Sequence, residues 1–489
     1  MSETLTAKLK RYLVESHSLN TSRELCKLLL PDCIFTDSPE PIKDRYVSEY
    51  NIETENNNPV AASKLGTFFN NEGIILLLQT KKSINARVKH SNLIGKILKN
   101  SYQFSSAIVI TVSEDDKQYR FSLVQLDYNT EKTSMSSAKR YSYILGPEAK
   151  LNTPSTHLFK IDEKAGIPIR AKTEEELLGR FSLDVVNKEF YTEIQKMFIE
   201  LVGGKIKNKT FDPIVLLPIN EKDSKIKDEI KKEFAIRLIG RLIFCWFLKQ
   251  KKPEENSKYT LIDDSILSNE AVSNHKDYYS KIIEPLFFEV LNKPVLDRKL
   301  TTYQKSIFKL IPYLNGGLFE SREHDYYRKG TGEMYVPDQW FSDLFEFFDR
   351  YHFTIDENSS VDIEVSIDPE MLGTIFENLL GEINPDTEKQ AKKATGSFYT
   401  PRKIVDYMVD ESLKQYLHTK TEISLDKLQA LISYNLEDDI GNNFSDDEKR
   451  KIIKAISECK IIDPACGSGA FPIGVLQKII WCLEIIDPG

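Results

Sequence analysis

The chain has 489 residues, 40% of them apolar, and a formal net charge of −8. That is enough for several domains with cores of their own, and the acidic balance argues against a chain that coats nucleic acid nonspecifically, although local basic stripes can still meet phosphates. No stretch reaches the roughly 18 uninterrupted apolar residues of a membrane span, and Met1 to Thr6 lack a signal peptide's apolar core, so a cytoplasmic protein without a membrane partner is expected.

In chain order, residues 1 to 60 mix short helical runs with polar turns. Gly73 to Gln79, Ser106 to Val112 and Tyr119 to Gln125 then read as three strands, with Ala86 to Asn100 as a helix between the first two. This predicts a small α/β domain ending near residue 170. From Glu174 the pattern turns helical for about two hundred residues: Phe181 to Leu201, Lys231 to Gln250, Asp277 to Leu291 and Phe341 to Arg350 show apolar residues at helical spacing. Within it, Arg237 and Arg241 lie four apart and can grip a phosphate or the carboxylates of another helix. Lysine clusters at Lys205 to Lys209, Lys225 to Lys232, Lys249 to Lys252 and Lys389 to Lys393 read as solvated faces or phosphate contacts. Tyr313 to Glu320 is a turn expected to need Gly316 and Gly317 for unusual backbone angles. Ile367 to Glu377 reads as a helix, and the polar, breaker-rich stretch from Gly381 to Gly396 as a mobile entrance to a ligand pocket.

The most specific signal is near the end. Ile461 and Ile462 lead through Asp463 into a small-residue turn and then the amphipathic run Phe471 to Ile485, which predicts strand, tight loop and helix. Gly467 and Gly469 permit positive φ and close approach of a ligand, and the helix start favours a carboxylate or phosphate. The six cysteines (Cys26, Cys33, Cys245, Cys459, Cys466 and Cys482) are scattered and include no Cys-x-x-Cys, so reduced thiols and no zinc are expected.

Asp463-Pro-Ala-Cys-Gly-Ser-Gly-Ala-Phe471 resembles the S-adenosylmethionine loop of amino-methyltransferases that modify adenine in DNA. Upstream, Gly396-Ser-Phe-Tyr-Thr-Pro401, followed by the helix-like Lys403 to Val409, resembles the element that precedes that loop in the same family. The resemblance implies that Tyr399 and Thr400 touch the methionine part of the cofactor and that Asp463, Cys466, Gly467 and Gly469 line its pocket. Phe398, Pro401, Pro464 and Phe471 complete the expected cofactor-binding set. Read without the resemblance, Tyr399 is a core aromatic and Cys466 a small buried filler. The family's Asn-Pro-Pro-aromatic tetrapeptide, which holds a flipped-out adenine, does not occur in the sequence; Asn57-Asn-Pro59 and Asn384-Pro-Asp386 read as turns, so no catalytic residue is assigned.

Leu65-Gly-Thr-Phe68, the basic helix with Arg87, Lys89, Lys96 and Lys99, and Arg120-Phe-Ser-Leu123 resemble the N-terminal domain of large fused (type IIG-like) restriction-modification methyltransferases. In nuclease members an Asp and a Glu-x-Lys bind Mg2+. Here Gln79-Thr80-Lys81 replaces the acid by an amide, with Glu55 or Glu72 as candidate further carboxylates, so Mg2+ is expected only if that domain cleaves.

The fold class expected is therefore α/β multidomain. It comprises a degenerate nuclease-like domain at 1–170, a helical connector at 171–380, and the start of an incomplete Rossmann-like methyltransferase domain at 381–489. The implied function is N6-adenine DNA methylation in restriction-modification or phage defence, with double-stranded DNA as partner. A separate specificity domain, or a missing C-terminal half, would read the target sequence. The chain alone is expected to be inactive, with apolar surface left open near Ile461 and the 471 to 485 helix. Two other readings are a noncatalytic DNA- or partner-binding fragment of an interrupted gene, and a methyltransferase acting on another acceptor such as protein glutamine.

Overall fold

A computed structural model describes residues 3–486 apart from 44, 54–58, 83, 85–86, 102–103, 130–133, 207–208, 220, 251–259, 315–316, 323–324, 326–333, 355–361, 368–370, 372–374, 376–399, 401, 434–439 and 465–468. The chain is mixed α/β and divides into two compact units, one formed by residues 1–183, 358–365 and 400–489 and the other by residues 184–357 and 366–399.

The first unit begins with α1 (Leu5–Val14) and α2 (Leu19–Leu29), whose first turns are capped by the hydroxyls of Thr4 and Ser18. Six strands of one sheet follow in sequence and in space: β1 (Ile34–Pro41), β2 (Val60–Phe68), β3 (Gly73–Thr80), β4 (Ser106–Ser113), β5 (Tyr119–Asn129) and β6 (Ser134–Leu145). A seventh strand, Asp362–Glu364, adds parallel to β6 at the edge. Neighbours are otherwise antiparallel except β3 and β4, which run parallel. A parallel pair needs a crossover, and α4 (Arg87–Ser101), the helix after α3 (Arg45–Glu53), supplies it. The near-continuous apolar runs of β3 and β4 follow from burial on both faces. Leu93, Ile94, Ile97 and Leu98 of α4 pack with Leu76, Leu78, Val109 and Val124 on one face. On the other, Phe121 meets Phe159 and Phe181, and Tyr143 meets Phe181.

The three expected strands and the helix between them are present, but the sheet has four more. β2 is rich in Ala, Ser and Gly, β6 in Ser and basic residues, and β1 carries two prolines, so none shows an apolar run or clean alternation. Asp362–Glu364 is only three residues long and lies inside a stretch that reads as helical. What holds it is a buried ion pair: Arg120 Nη1 donates to Glu364 Oε2 at 2.7 Å while Arg120 Nε donates to the Ile84 carbonyl at 3.1 Å, with both side chains almost fully enclosed.

The second unit is chiefly helical, led by α6 (Leu183–Val202), α7 (Ser224–Lys249) and the helix Asp338–Asp349. An aromatic core of Phe190, Trp246, Phe347, Phe348 and Phe353 joins them. Three details correct the sequence expectations. The helix expected from Phe181 starts at Leu183, because the preceding helix α5 (Glu174–Arg180) ends at Phe181, whose N–H bonds back to Leu178. Asp277 to Leu291 winds as two π-helical runs, Tyr279–Ile283 and Leu286–Leu291, on either side of Pro285, which has no N–H to give. Gly317 begins a 3-10 turn at Gly317–Phe319 without positive φ; Gly316 lies outside the described residues. No described helix is long and apolar enough to cross a membrane.

Two outcomes test this architecture. Glu364→Ala removes a carboxylate from a buried ion pair with Arg120, which should cost about 3 kcal/mol, seen as a lower denaturation midpoint. His17 sits against Tyr119 and 2.9 Å from the Ser22 hydroxyl, and burial lowers its pKa to about 4. The unfolded chain therefore binds one more proton between the ordinary value near 6.5 and about 4, and stability falls as pH drops through that window. Thermal melts across it should show the fall, and His17→Gln should flatten it.

Candidate cofactor site

The last ninety residues fold as a small helical cluster made by Arg402–Thr421, Leu425–Ile432, Asp446–Ser457 and Ala470–Ile486. The second and third helices start at Ser424 and Ser445, and Ser445 with Glu448 forms a complete capping box. Leu413, Leu417, Leu428, Leu431, Ile432, Ile452, Cys482 and Ile486 make the core.

The first and last of these helices cross closely at Gly474, where a Cβ would lie 3.0 Å from Val405 Cγ1. One turn further on, Lys478 is fully buried: its Nζ donates to the Ile432 carbonyl at 2.9 Å and pairs with Asp410 at 3.0 Å. One ammonium thereby ties three helices together. Burial raises the Asp410 carboxyl above the usual aspartate value, and the Lys478 charge draws it partly back. Trp481 Nε1 donates to Leu431 O, and Tyr416 Oη to Ala455 O.

Beside this crossing lies a cavity of about 550 Å3, lined by Met408, Ser412 and Tyr416 of the first helix, by residues 459–464, and by Phe471, Pro472 and Val475 of the last. Three of the ten expected cofactor residues meet there: Asp463, Pro464 and Phe471. Gly469 has φ +86° just before the last helix, a left-handed conformation suited to glycine, and its carbonyl accepts from the Ile473 N–H. Thr400 is half-buried ahead of the first helix. Phe398, Tyr399, Pro401, Cys466 and Gly467 lie outside the described residues, as does the expected entrance 381–396. Sequence reasoning missed Met408, Ser412 and Tyr416, although their i, i+4, i+8 spacing marks one helix face.

One local expectation fails. Ile461 and Ile462 form no strand, since no described strand lies beside them to take their backbone bonds, whereas their 53% and 88% exposure is the open apolar surface expected there. Leu476 and Ile480 are exposed on the following helix.

Gln79 is exposed on β3, in register with Ala61 and Val112. Glu72 precedes the opposite end of that strand, about 23 Å away at roughly 3.3 Å per residue, too far to share an ion with it; Glu55 lies outside the described residues. Glu114, Asp115 and Asp116 follow β4 at the Lys81 end, where the Glu114 N–H donates to Thr80 O. Among the described residues no three His, Cys, Asp or Glu converge as metal ligands. Five described cysteines are free thiols. Arg237 and Arg241 grip a carboxylate, as one alternative had it, but within their own unit. Both converge on Asp325, which is fully buried, at 3.0 Å, and Arg241 also donates to the Leu318 and Glu320 carbonyls.

Among known proteins, 320 aligned residues are 29% identical to a protein of Methanocaldococcus jannaschii named "Putative type II restriction enzyme and methyltransferase RM.MjaORFECS2P", covering 60% of this chain and 26% of that one. The chain thus spans about a quarter of that relative's length. No family model matches, and no solved structure does.

The cluster's dependence on its buried lysine is testable. Lys478→Ala leaves Asp410 and the Ile432 carbonyl without their partner and should destabilise the cluster by about 3 kcal/mol. Hydrogen exchange confined to residues 402–486 should report the loss.

Proposed function

We propose that the chain carries the S-adenosylmethionine-binding part of an adenine-specific (N6) DNA methyltransferase of a restriction-modification or phage-defence system. The observation that carries the reading is one cavity: Asp463, Pro464 and Phe471 of the expected cofactor loop face the helix that follows the expected Gly396–Pro401 element. The named relative, a restriction enzyme and methyltransferase by its description, supports the same class. The lining suits such a ligand, being mostly apolar with a few polar groups, Ser412, Tyr416, Lys460 and Asp463.

When bound, the cofactor supplies an electrophilic methyl group on a sulfonium. The Asp463 carboxylate offers a counter-charge to the ligand's cationic groups, Phe471 and Met408 give it apolar contact surface, and Gly469 lets the chain turn tightly into the helix start. The tetrapeptide that would orient a flipped adenine does not occur in these 489 residues, so methyl transfer by them unaided is not part of the reading. In this reading a nuclease-like domain at 1–170 and a helical connector at 171–380 precede the start of a Rossmann-like methyltransferase domain at 381–489, and double-stranded DNA is the partner. The exposed Gln79, where a nuclease would carry an acid, favours a second role for the first domain, holding DNA or a partner without cutting it.

The test is photocrosslinking of labelled S-adenosylmethionine to the 489-residue chain. Saturable labelling is expected, reduced at least tenfold by Asp463→Ala and by Gly469→Val, with S-adenosylhomocysteine competing. Labelling that does not saturate, or that Asp463→Ala leaves unchanged, would falsify the cofactor site.

A further inference from the structure

The second unit carries a short hairpin that its helical core does not require. Gly204–Ile206 pairs antiparallel with Lys209–Phe211, with Lys205 opposite Thr210 and Ile206 opposite Lys209. Its base is fixed. Gly203 and Gly204 have φ +85° and +145°, and a Cβ on Gly203 would come within 2.9 Å of the Pro213 ring. The Gly203 N–H bonds to Ile199 O, those of Ile214 and Val215 to Leu201 O, and Leu216 bridges to Tyr335. The ribbon therefore leaves α6 at a set angle rather than as a loose loop.

What it presents is positive charge. From Gly203 to Phe211 the sequence has three lysines and no acid, inside a chain of net charge −8. Lys205 and Lys209 are exposed, and among the described residues neither forms an ion pair with a carboxylate; Lys209 instead lies over the Phe211 ring at 4.7 Å. Elsewhere the lysines often do find acids, as Lys249 does with Asp264, Lys293 with Glu289 and Lys427 with Glu448. A fixed two-stranded ribbon with unneutralised ammonium groups is a shape that DNA grooves admit, and its lysines are of the kind that replace counterions on phosphates.

We infer that the ribbon of Gly204–Ile206 and Lys209–Phe211 contacts duplex DNA, with Lys205 and Lys209, which its register places on opposite faces, each on a backbone phosphate. The inference rests on DNA as the partner proposed above, but not on the cofactor pocket, and contacts of this kind add affinity without reading sequence.

The experiment measures affinity of the 489-residue chain for a 30-base-pair duplex from 50 to 200 mM salt, for wild type, Lys205→Gln/Lys209→Gln and Lys205→Arg/Lys209→Arg. At about 0.9 per phosphate contact, the Gln pair should flatten the log affinity against log salt slope by about 2 and weaken binding roughly tenfold or more at 50 mM. The Arg pair should keep both, and melting temperatures should not move, since both side chains are exposed. An unchanged slope in the Gln pair overturns the proposal, as does a wild-type chain that does not bind the duplex. Equal competition by polyglutamate at matched charge also overturns it, in favour of an acidic protein partner. Because crosslinking to S-adenosylmethionine is scored separately, a hairpin that fails leaves the cofactor reading standing, and the reverse.

Discussion

A charge withdrawn from water must find its opposite, and three such pairings fix the parts of this chain that sequence proximity leaves open. Arg120 holds Glu364 to the sheet across more than two hundred residues, Arg237 and Arg241 close on Asp325, and Lys478 joins Asp410 and a helix-end carbonyl. Buried pairs of this kind add little net stability compared with apolar substitutes, yet losing one partner is costly. Their contribution is to define which distant segments come together. The apolar cores then supply the bulk of the driving force, through the double-sided burial of β3 and β4 and the aromatic cluster around Phe190.

The candidate site depends on the third pairing. Gly474 permits the close crossing of the first and last C-terminal helices, Lys478 locks it, and the cavity opens beside it, where Asp463 and Phe471 face Met408 and Tyr416. The lining at Ile461 and Ile462 is open to solvent.

Legibility in the sequence followed local periodicity. β3, β4, β5 and α4 were readable because each shows a run or repeat of its own. β1, β2, β6 and the strand at 362–364 were not, since their burial comes from neighbours rather than from their composition. The same holds for the site. The glycine-rich string at 463–471 announced itself, and Met408, Ser412 and Tyr416 could have been found by helical spacing. The open apolar surface at Ile461 and Ile462 was also legible, but their failure to form a strand was not, because an apolar pair before a glycine-rich turn reads as a strand whether or not a neighbour is there to pair with it. Arg237 and Arg241 carried a correct chemical reading, a grip on a carboxylate, but Asp325 lies 84 residues from Arg241 and no spacing rule reaches that far.

The donated strand at Asp362–Glu364 has a bearing on how the protein is made. Until it arrives, β6 has an open edge and the ion pair of Arg120 with Glu364 is not formed. The ribosome must add roughly 220 residues after the end of β6 before Glu364 exists, on the order of 10–40 s at 5–20 residues per second. During that interval the nascent sheet is complete in its hydrophobic faces but unfinished at one margin, the kind of intermediate that pairs with whatever strand it meets. Synthesis rate and chaperone supply, as well as final stability, therefore bear on the yield of correctly folded chain.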